Sequence, residues 1–176
     1  MLYCIVGKSG AGKTALVNNL LNEFDFFKEV ASLTTRPMRP NETQGKGHTF
    51  VSKEEFEAYR PNLIAYTLFN GNEYGVTEEM LMGGDVLYII DVEGVKFLKT
   101  RCPYLDMTVV GLNVSEENAY NRMKAERGEQ QALERVFHDK TAFQNFEDIC
   151  DVMLNANEDE QSVVNQFIDI LANNCF

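Results

Sequence analysis

The sequence is short of basic residues. Sixteen lysines and arginines stand against 27 aspartates and glutamates among 176 residues, giving a net charge of −11. A surface that binds nucleic acid needs clustered lysine and arginine to neutralise the phosphate backbone. The composition therefore argues against a nucleic-acid partner. It leaves room for a small cationic site on an otherwise acidic surface.

The sequence also lacks long apolar runs and closely spaced cysteines. Runs such as Val86–Ile90 are far too short to cross a membrane. No basic segment followed by a long apolar stretch opens the chain, so we expect no signal peptide. The cysteines, Cys4, Cys102, Cys150 and Cys175, are too widely spaced for a metal knuckle or a redox pair. We expect free thiols, a cytoplasmic protein, no membrane association and no partner protein.

Apolar strands alternate with amphipathic helices, which is typical of an α/β domain with a parallel sheet. Strands are predicted at Leu2–Val6, Val86–Ile90, Met107–Val114 and Val152–Leu154. The predicted helices are Thr14–Phe24, one that Ser115 begins and Gly128 interrupts, a long one carrying Leu133, Val136, Phe137, Phe143 and Phe146, and a C-terminal one carrying Val163, Val164, Phe167, Ile168 and Leu171.

The stretch from Val30 to Val76 has a different, β-rich pattern. Its predicted elements are a strand at Val30–Thr35, a loop at Arg36–Gly47, a strand at Thr49–Val51, a helix begun by the capping box of Ser52 and Glu55, and a strand at Leu63–Phe69 followed by an Asn70-Gly71 turn. Thr77 is predicted to cap a short helix that ends at Gly83-Gly84. This region reads as an insertion between α/β elements.

A phosphate-binding loop follows the first strand. The segment from Gly7 to Thr14 fits G-x-x-x-x-G-K-[ST] and lies between a predicted strand and a predicted helix, as the motif requires. Its glycines let backbone N–H groups face phosphate oxygens. Lys13 can reach the β- and γ-phosphates of ATP, and the Thr14 hydroxyl can bind Mg²⁺. The residues expected to bind ATP here are Gly7, Ser9, Gly10, Ala11, Gly12, Lys13 and Thr14.

Other polar residues lie near predicted loops. Asp91 ends an apolar strand, where it fits either an acidic group of the site or the N-cap of the next helix. The arginines that stand out are Arg36, Arg39, Arg122, Arg127 and Arg135. Two anionic reactants repel by about 3 kcal/mol per charge pair at roughly 5 Å and an effective dielectric of about 20. Arginines offset such repulsion, and their planar fork binds phosphate in bidentate fashion.

Over nearly the whole chain, the sequence resembles the guanylate kinase family. The matching segments, in order, are Gly7–Thr14, Ser32-Leu-Thr-Thr-Arg36-Pro-Met-Arg39, Gly45-Lys-Gly-His-Thr-Phe50-Val, Gly71-Asn-Glu-Tyr74-Gly75, Asp91-Val-Glu-Gly94-Val and Arg122 through Arg127-Gly128. The T-T-R-x-x-R and N-x-Y-G segments make the resemblance much more specific than a phosphate loop alone.

The resemblance implies a P-loop NTPase-type parallel sheet core flanked by helices, with a β-rich monophosphate-binding insertion and a short helical lid. The core would comprise residues 1–30, 77–118 and 136–176, the insertion 31–76 and the lid 119–135. It also implies phosphoryl transfer from ATP, with Mg²⁺, to a nucleoside monophosphate, most simply GMP or dGMP.

The resemblance assigns roles to individual residues. Ser32, Arg36, Arg39 and Tyr74 would hold the acceptor's phosphate. Catalytic stabilisation of the transferring phosphoryl group would come from Lys13, Arg36, Arg122 and Arg135. The adenine of ATP would lie near Arg127 and Asn155. Asp91 would meet the acceptor base or the metal shell.

Three positions depart from the family's pattern. Ala65 stands where the family has its base-reading glutamate, and Val76 where it has a hydroxyl residue that contacts guanine. His48 replaces a phosphate-binding tyrosine; it fits either a phosphate ligand or an exposed loop histidine. The lid is about three residues short. Glu73 and Glu93 are candidates to replace the missing carboxylate.

Three functions are therefore considered. The first is a guanylate-kinase-type enzyme. The second is a kinase of the same fold acting on another nucleotide or a ribose bisphosphate, which the departures at Ala65 and Val76 favour. The third is a non-catalytic binding module, against which the intact Lys13 and Thr14 argue.

Overall fold

The computed structural model describes residues 1–174, and its elements alternate between strands and helices. The strands are β1 (Leu2–Gly7), β2 (Phe27–Glu29), β3 (Ser32–Thr34), β4 (His48–Phe50), β5 (Leu63–Phe69), β6 (Asn72–Thr77), β7 (Asp85–Ile89), β8 (Met107–Asn113) and β9 (Val152–Asn155). The helices are α1 (Lys13–Glu23), α2 (Lys53–Tyr59), α3 (Val92–Arg101), α4 (Glu116–Arg127), α5 (Glu129–Ala142) and α6 (Glu160–Asn174).

The strands form two sheets. The larger has the order β2-β7-β1-β8-β9, and its β2–β7 and β8–β9 pairs are parallel. The smaller has the order β4-β3-β6-β5, with β3–β4 parallel and both β3–β6 and β5–β6 antiparallel. The predicted fold class, an α/β fold with a parallel sheet core flanked by helices and a small additional β-rich region, is confirmed.

The chain divides into two compact units. The first comprises Met1–Cys4 and Phe26–Met107. It contains the smaller sheet, and α3 packs against β5. The second comprises Ile5–Asp25 and the chain from Thr108 onward. Within it α1 packs against α6, which also packs against β9, and α4 packs against α5.

Local sequence signals explain several boundaries. Ser52 accepts from the Glu55 backbone N–H while the Glu55 side chain accepts from the Ser52 N–H, so the predicted capping box begins α2. Asn70 and Gly71 both have positive φ, +48° and +73°, the conformation that a two-residue hairpin turn requires. Ser115 caps α4 by accepting from the backbone of Asn118.

Three boundaries differ from the predictions. The strand predicted at Val30–Thr35 is shorter, and β2 precedes it as a separate strand of the other sheet. Thr77 ends β6 and precedes a 3-10 turn without a side-chain capping bond. The long helix ends at Ala142, because Phe143 leaves the helical conformation (φ −112°, ψ 23°), and Asn145 then adopts the left-handed conformation (φ +54°) that asparagine tolerates.

The apolar face predicted for that long helix is only partly buried. Phe146 is buried but lies in a separate 3-10 turn. Leu133 and Phe137 on α5 are exposed by 52% and 82%. The prediction of one long amphipathic helix that carries Phe146 as well is therefore wrong, and Leu133 and Phe137 lie outside the core.

Cys4, Cys102 and Cys150 are present as thiols, and Cys175 lies outside the described residues. Among residues 1–174, no helix has both the length and the apolar character needed to cross a membrane.

Candidate active site

The phosphate loop connects β1 to α1 in the second unit. Gly10 and Gly12 have φ of +75° and +90°, a region that side chains with a Cβ rarely adopt. A Cβ at Gly10 would also lie 2.5 Å from the carbonyl oxygen of Ala119 in α4. Glycine is thus required at Gly10 both by backbone conformation and by the close approach of α4.

Lys13 lies in the first turn of α1, folded back onto the loop. Its Nζ donates to the carbonyl oxygens of Gly7 at 2.5 Å and Lys8 at 3.0 Å. Loss of hydration lowers the pKa of Lys13 to about 8, while the charge of Asp139 opposes that shift. At pH 7 the side-chain amine of Lys13 is thus largely in its protonated, ammonium form. Thr14, next along α1, is exposed.

Arginines of α4 and α5 lie around this lysine. Arg122 donates from Nη1 to the carbonyl oxygen of Gly10 at 3.4 Å. The positive charges of Arg127 and Arg135 both lower the pKa of Lys13, so each arginine lies within electrostatic range of the lysine. Arg127 also binds the carboxylate of Glu126. The second unit therefore brings Lys13 and the three predicted lid arginines together.

An open groove of about 200 Å³ runs beside the loop. Its walls are formed by Ala11, Gly12, Ala15, Leu16, Arg122, Ala156, Glu158, Asp159, Glu160 and Val163. Asn155 organises one wall, since its side chain donates to Glu158 and accepts from the backbone of Asn157. Asn155, predicted to lie near adenine, thus borders the groove through its neighbours, whereas Arg122 lines it directly.

In the first unit, one face of the smaller sheet collects three of the six predicted acceptor residues, Ser32, His48 and Tyr74. Directly opposed residues of neighbouring strands have their side chains on the same face, and alternate residues of a strand share a face. The opposed pairs on this face, called here the acceptor face, are Ser32 with His48, Thr34 with Phe50 and Tyr74, Tyr74 with Thr67, and Val76 with Ala65.

Arg36 and Arg39 follow β3 and converge on a carboxylate. The two terminal nitrogens of Arg36 donate to the two oxygens of Glu42 at 2.9 and 2.7 Å. The backbone N–H of Arg39 donates to Glu42 at 2.8 Å. The Arg36 guanidinium also lies 5.2 Å from the ring centroid of Phe50. This bidentate geometry is the one in which arginine binds phosphate.

His48 is a strand residue rather than an exposed loop residue. It lies in β4, half-buried, with Nδ1 2.8 Å from the Ser32 hydroxyl and its ring 5.7 Å from that of Tyr74. Burial lowers the pKa of His48, and Arg36 lowers it further, so the neutral imidazole is favoured. When Ser32 donates to Nδ1, Nε2 carries the proton and can still donate to a phosphate oxygen.

Asp91 is the N-cap of α3, which is one of its two predicted roles. It accepts from the backbone N–H of Gly94 at 2.6 Å and from the hydroxyl of Thr67 at 3.0 Å. Burial raises the pKa of Asp91. Because Thr67 lies on the acceptor face, the hydrogen bond also ties the Asp91 carboxylate to the predicted acceptor residues. Capping and ligand binding are therefore compatible roles.

The base-reading positions are apolar, and the proposed substitutes for the missing carboxylate lie elsewhere. Ala65 and Val76 are buried opposite each other. Glu73 belongs to the other face of the sheet, where it binds Arg60 and the hydroxyl of Tyr66. Glu93 is exposed and pairs with Lys96. The suggestion that Glu73 or Glu93 replaces the family's glutamate gains no support.

Sequence comparisons decide the family. The family model described as "Guanylate kinase" matches residues 1–173. The chain is 37% identical to a guanylate kinase from Chlamydia caviae over 147 residues, 78% of this chain and 71% of that protein. This chain belongs to the guanylate kinase family. A guanylate kinase from Agrobacterium fabrum is 29% identical over 164 residues, covering 88% of this chain and 74% of its own.

The solved guanylate kinase from Anaplasma phagocytophilum shares the fold. Its structure superposes with a TM-score of 0.70 over 99% of this chain and 85% of its own, at 22% identity. The order of strands and helices described above is thus that of a guanylate kinase.

The oxygen ligands that the loop region offers also suit Mg²⁺. Within the described chain, no group of three or more His, Cys, Asp or Glu side chains is arranged to hold a metal ion. Mg²⁺ in kinases is typically held by one or two protein oxygens together with substrate phosphates and water. The exposed Thr14 hydroxyl beside the loop offers such an oxygen, so the residues fit a metal that arrives with ATP.

Glu42→Gln is expected to alter the pH dependence of stability. Hydrogen bonds from Arg36 and from the Arg39 backbone lower the pKa of Glu42 to about 2, from its ordinary 4.5. A depressed carboxyl pKa stabilises the fold above the ordinary pKa, and that contribution is lost as pH falls from about 4.5 to about 2. Wild type should exceed Glu42→Gln in free energy of unfolding at pH 6, with the gap narrowing at pH 3.

Urea unfolding at the two pH values measures this difference. Glu54→Gln, which alters an exposed carboxyl of α2, is the control. A gap for Glu42→Gln that stays constant between pH 6 and pH 3 contradicts the assigned ion pair.

Three polar residues of the site were missed from sequence. Thr67 follows Ala65 by two positions in a strand, so strand alternation already places both on one face. Asp139 follows Arg135 by four positions in a helix, so the same reasoning with the helical period links them. Glu42 lies in a loop without periodicity, and only the folded structure brings it to Arg36.

Proposed function

We propose that this protein transfers the γ-phosphoryl group of ATP to GMP or dGMP, forming GDP or dGDP. The observation that carries the proposal is the intact loop of a guanylate kinase, in which Lys13 lies within the influence of Arg127 and Arg135. Protein groups contribute to this reaction almost entirely by positioning and by electrostatic stabilisation. The intact cationic loop argues against a non-catalytic binding module.

The proposed roles follow the geometry of each unit. The backbone N–H groups of the loop and Lys13 bind the donor phosphates, and Arg122 and Arg135 stabilise the transferring group. An oxygen of the acceptor phosphate forms the new bond to the γ-phosphorus while the bond to the β–γ bridging oxygen breaks, releasing ADP. Mg²⁺, held partly by Thr14, neutralises charge on the donor phosphates when it is bound.

The acceptor is proposed to bind through the first unit. Arg36 and Arg39 exchange Glu42 for the acceptor phosphate, because a bidentate carboxylate and a phosphate use the same guanidinium fork. Ser32, His48 and Tyr74 complete this subsite. Asp91, which accepts a hydrogen bond from Thr67 on the acceptor face, contacts the base.

Two mobile regions and a location complete the proposal. Residues 31–76 and 119–135 are proposed to close over the substrates, since transfer requires a site from which water is excluded. The remaining residues form the core. We place the reaction in the cytoplasm, where ATP and nucleoside monophosphates are available; this location stays a prediction.

An assay of ATP consumption tests the function directly. The acceptors are GMP, dGMP, AMP, CMP, UMP and a ribose bisphosphate, each with Mg²⁺ and ATP. We expect the highest kcat/KM with GMP. Turnover with the ribose bisphosphate alone would instead support the second candidate, which the apolar Ala65 and Val76 favour. ATP binding without turnover on any acceptor contradicts both kinase proposals.

Ala65→Glu is expected to raise the preference for GMP over AMP by about tenfold or more. Guanine presents N1–H and N2–H donors, and a buried donor left unpaired costs roughly 1–3 kcal/mol; about 1.4 kcal/mol corresponds to tenfold. Residue 65 shares the acceptor face with Thr67, which binds Asp91, so the new carboxylate points toward the base-reading side. The ratio of kcat/KM for GMP to kcat/KM for AMP measures the effect.

Leu68→Glu provides a matched control on the same strand. Leu68 is 62% exposed and belongs to the opposite face, so its carboxylate should leave the ratio unchanged. Thermal unfolding checks that Ala65→Glu remains folded. An unchanged ratio in a folded Ala65→Glu variant means that guanine is read elsewhere or not at all.

A further inference from the structure

Asp139 is a buried carboxylate outside the residues predicted for the site. It lies on α5 with only 4% of its surface exposed. The backbone N–H of Ser9, within the phosphate loop, donates to Oδ2 at 2.6 Å, and Oδ1 lies 3.1 Å from Nδ1 of His138. Burying a carboxylate is costly unless its oxygens are hydrogen-bonded, and both oxygens of Asp139 have partners.

The surroundings of Asp139 indicate that this residue supports the phosphate loop from within the protein. Its carboxylate borders a small hollow formed by Lys8, Ser9, Glu116, Ala119, Met123, Val136 and Lys140. A carboxylate that merely occupied the phosphate site would lie on the open side of the loop, where the phosphate of ATP could displace it. Asp139 is instead enclosed by side chains of α4 and α5, so its bond to Ser9 can persist when phosphate binds.

The same helix carries an arginine of the site. Arg135 precedes Asp139 by four residues, so the two side chains lie one turn apart on one face of α5. The charges of both residues act on Lys13. The depth at which Asp139 fixes α5 against the loop therefore also sets the position of Arg135 relative to Lys13.

We propose that Asp139 is a positioning residue: by accepting from the Ser9 N–H it anchors α5 to the phosphate loop and holds Arg135 toward the donor phosphates. The effect of this role on kcat rests on the proposed phosphoryl transfer. Asp139 acts on kcat through Arg135, without contacting the substrate. A displacement of about 1 Å at such a group can cost about a hundredfold in rate.

A double-mutant cycle tests the proposal. The proteins are wild type, Asp139→Ala, Arg135→Ala and the double variant, each measured for kcat with GMP and for the dissociation constant of ATP with Mg²⁺. We expect Asp139→Ala to lower kcat by roughly tenfold to a hundredfold. Because both changes remove the same positioned group, the double variant should be little worse than Arg135→Ala alone in both quantities.

Two further variants separate anchoring from general stability. Asp139→Asn keeps an oxygen that can accept from Ser9 and should retain kcat within about threefold of wild type. Glu134→Ala removes an exposed carboxylate of the same helix and should leave kcat unchanged. Thermal unfolding is recorded for every variant, because a purely structural role lowers stability without making the two substitutions non-additive.

Opposite outcomes overturn the inference. Additive effects of Asp139→Ala and Arg135→Ala, on ATP affinity and on kcat, show that the two residues act independently. Tighter ATP binding in Asp139→Ala shows that the carboxylate competes with phosphate. If wild type turns over no acceptor, the proposed function fails, while the cycle in ATP affinity still decides whether Asp139 positions Arg135.

Discussion

Lys13→Ala should lower kcat by about a thousandfold or more. Removing a single preorganised donor from a site that stabilises developing charge costs on the order of a hundredfold to a thousandfold, and Lys13 supplies a full charge as well. Its ammonium binds the carbonyl oxygens of Gly7 and Lys8 at the mouth of the loop, from which it can turn to the β- and γ-phosphates. Steady-state kinetics with ATP and GMP measure the loss.

The fold should survive this substitution. Lys13 is only partly buried, and α1 is held by the apolar side chains of Leu16, Val17 and Leu20 rather than by the lysine. Thermal unfolding should therefore show a two-state transition close to that of wild type. The far-ultraviolet circular dichroism spectrum should also be preserved.

Lys8→Ala is the matched control for the loss of charge. Lys8 belongs to the same loop, and its carbonyl oxygen, which accepts from Lys13, is retained in the variant. We expect a change in kcat of no more than a few-fold. A kcat for Lys13→Ala that equals that of Lys8→Ala removes Lys13 from the mechanism and leaves only a general effect of loop charge.

Local signals predicted much of the fold. Glycines at the phosphate loop, the capping box at Ser52 and Glu55 and the turn at Asn70-Gly71 act over a few residues, and each produces the predicted feature. The phosphate loop was identified for the same reason, because its chemistry is contained in eight consecutive residues. The large sheet followed from apolar runs between helical patterns.

Features that depend on distant partners were not predictable in this way. The strand β2 has only three residues and carries two charges, so its pairing with β7 defines it rather than its apolar character. The bond between Ser9 and Asp139 joins residues 130 positions apart. The end of α5 at Ala142 is followed by a left-handed Asn145, whose conformation no hydrophobic pattern specifies.

The acceptor face shows both situations at once. The motifs around Arg36 and Tyr74 predict which residues bind the acceptor. They do not predict which face of the sheet each side chain occupies. The register of β5 with β6 supplies that information. It puts Ala65 and Thr67 on the face of Tyr74 and puts Glu73 on the other.

Arg36→Ala should raise the KM for GMP by about a hundredfold and also lower kcat. A hydrogen bond to a charged group contributes about 1.5–3 kcal/mol, and the Arg36 fork makes two of them, so their loss amounts to roughly 3 kcal/mol or more. About 1.4 kcal/mol corresponds to tenfold. Arg36→Lys keeps the charge but loses the planar fork, and it should fall between wild type and the alanine variant.

Arg60→Ala separates recognition from packing. Arg60 is also an arginine of the first unit that binds carboxylates, those of Glu57 and Glu73, and it lies over the rings of Phe56 and Tyr66. It belongs to the group of side chains on the face of Glu73, opposite the acceptor face. Its loss should lower thermal stability with little change in the KM for GMP.

The two arginine variants together decide where the acceptor phosphate binds. A large rise in KM for Arg36→Ala alone assigns the phosphate to the fork that now holds Glu42. Equal rises in both variants would mean that KM reports the integrity of the small sheet. In Arg36→Ala the Glu42 carboxylate also loses its main partner, so the double variant with Glu42→Gln, which removes that charge, should regain stability but not affinity for GMP.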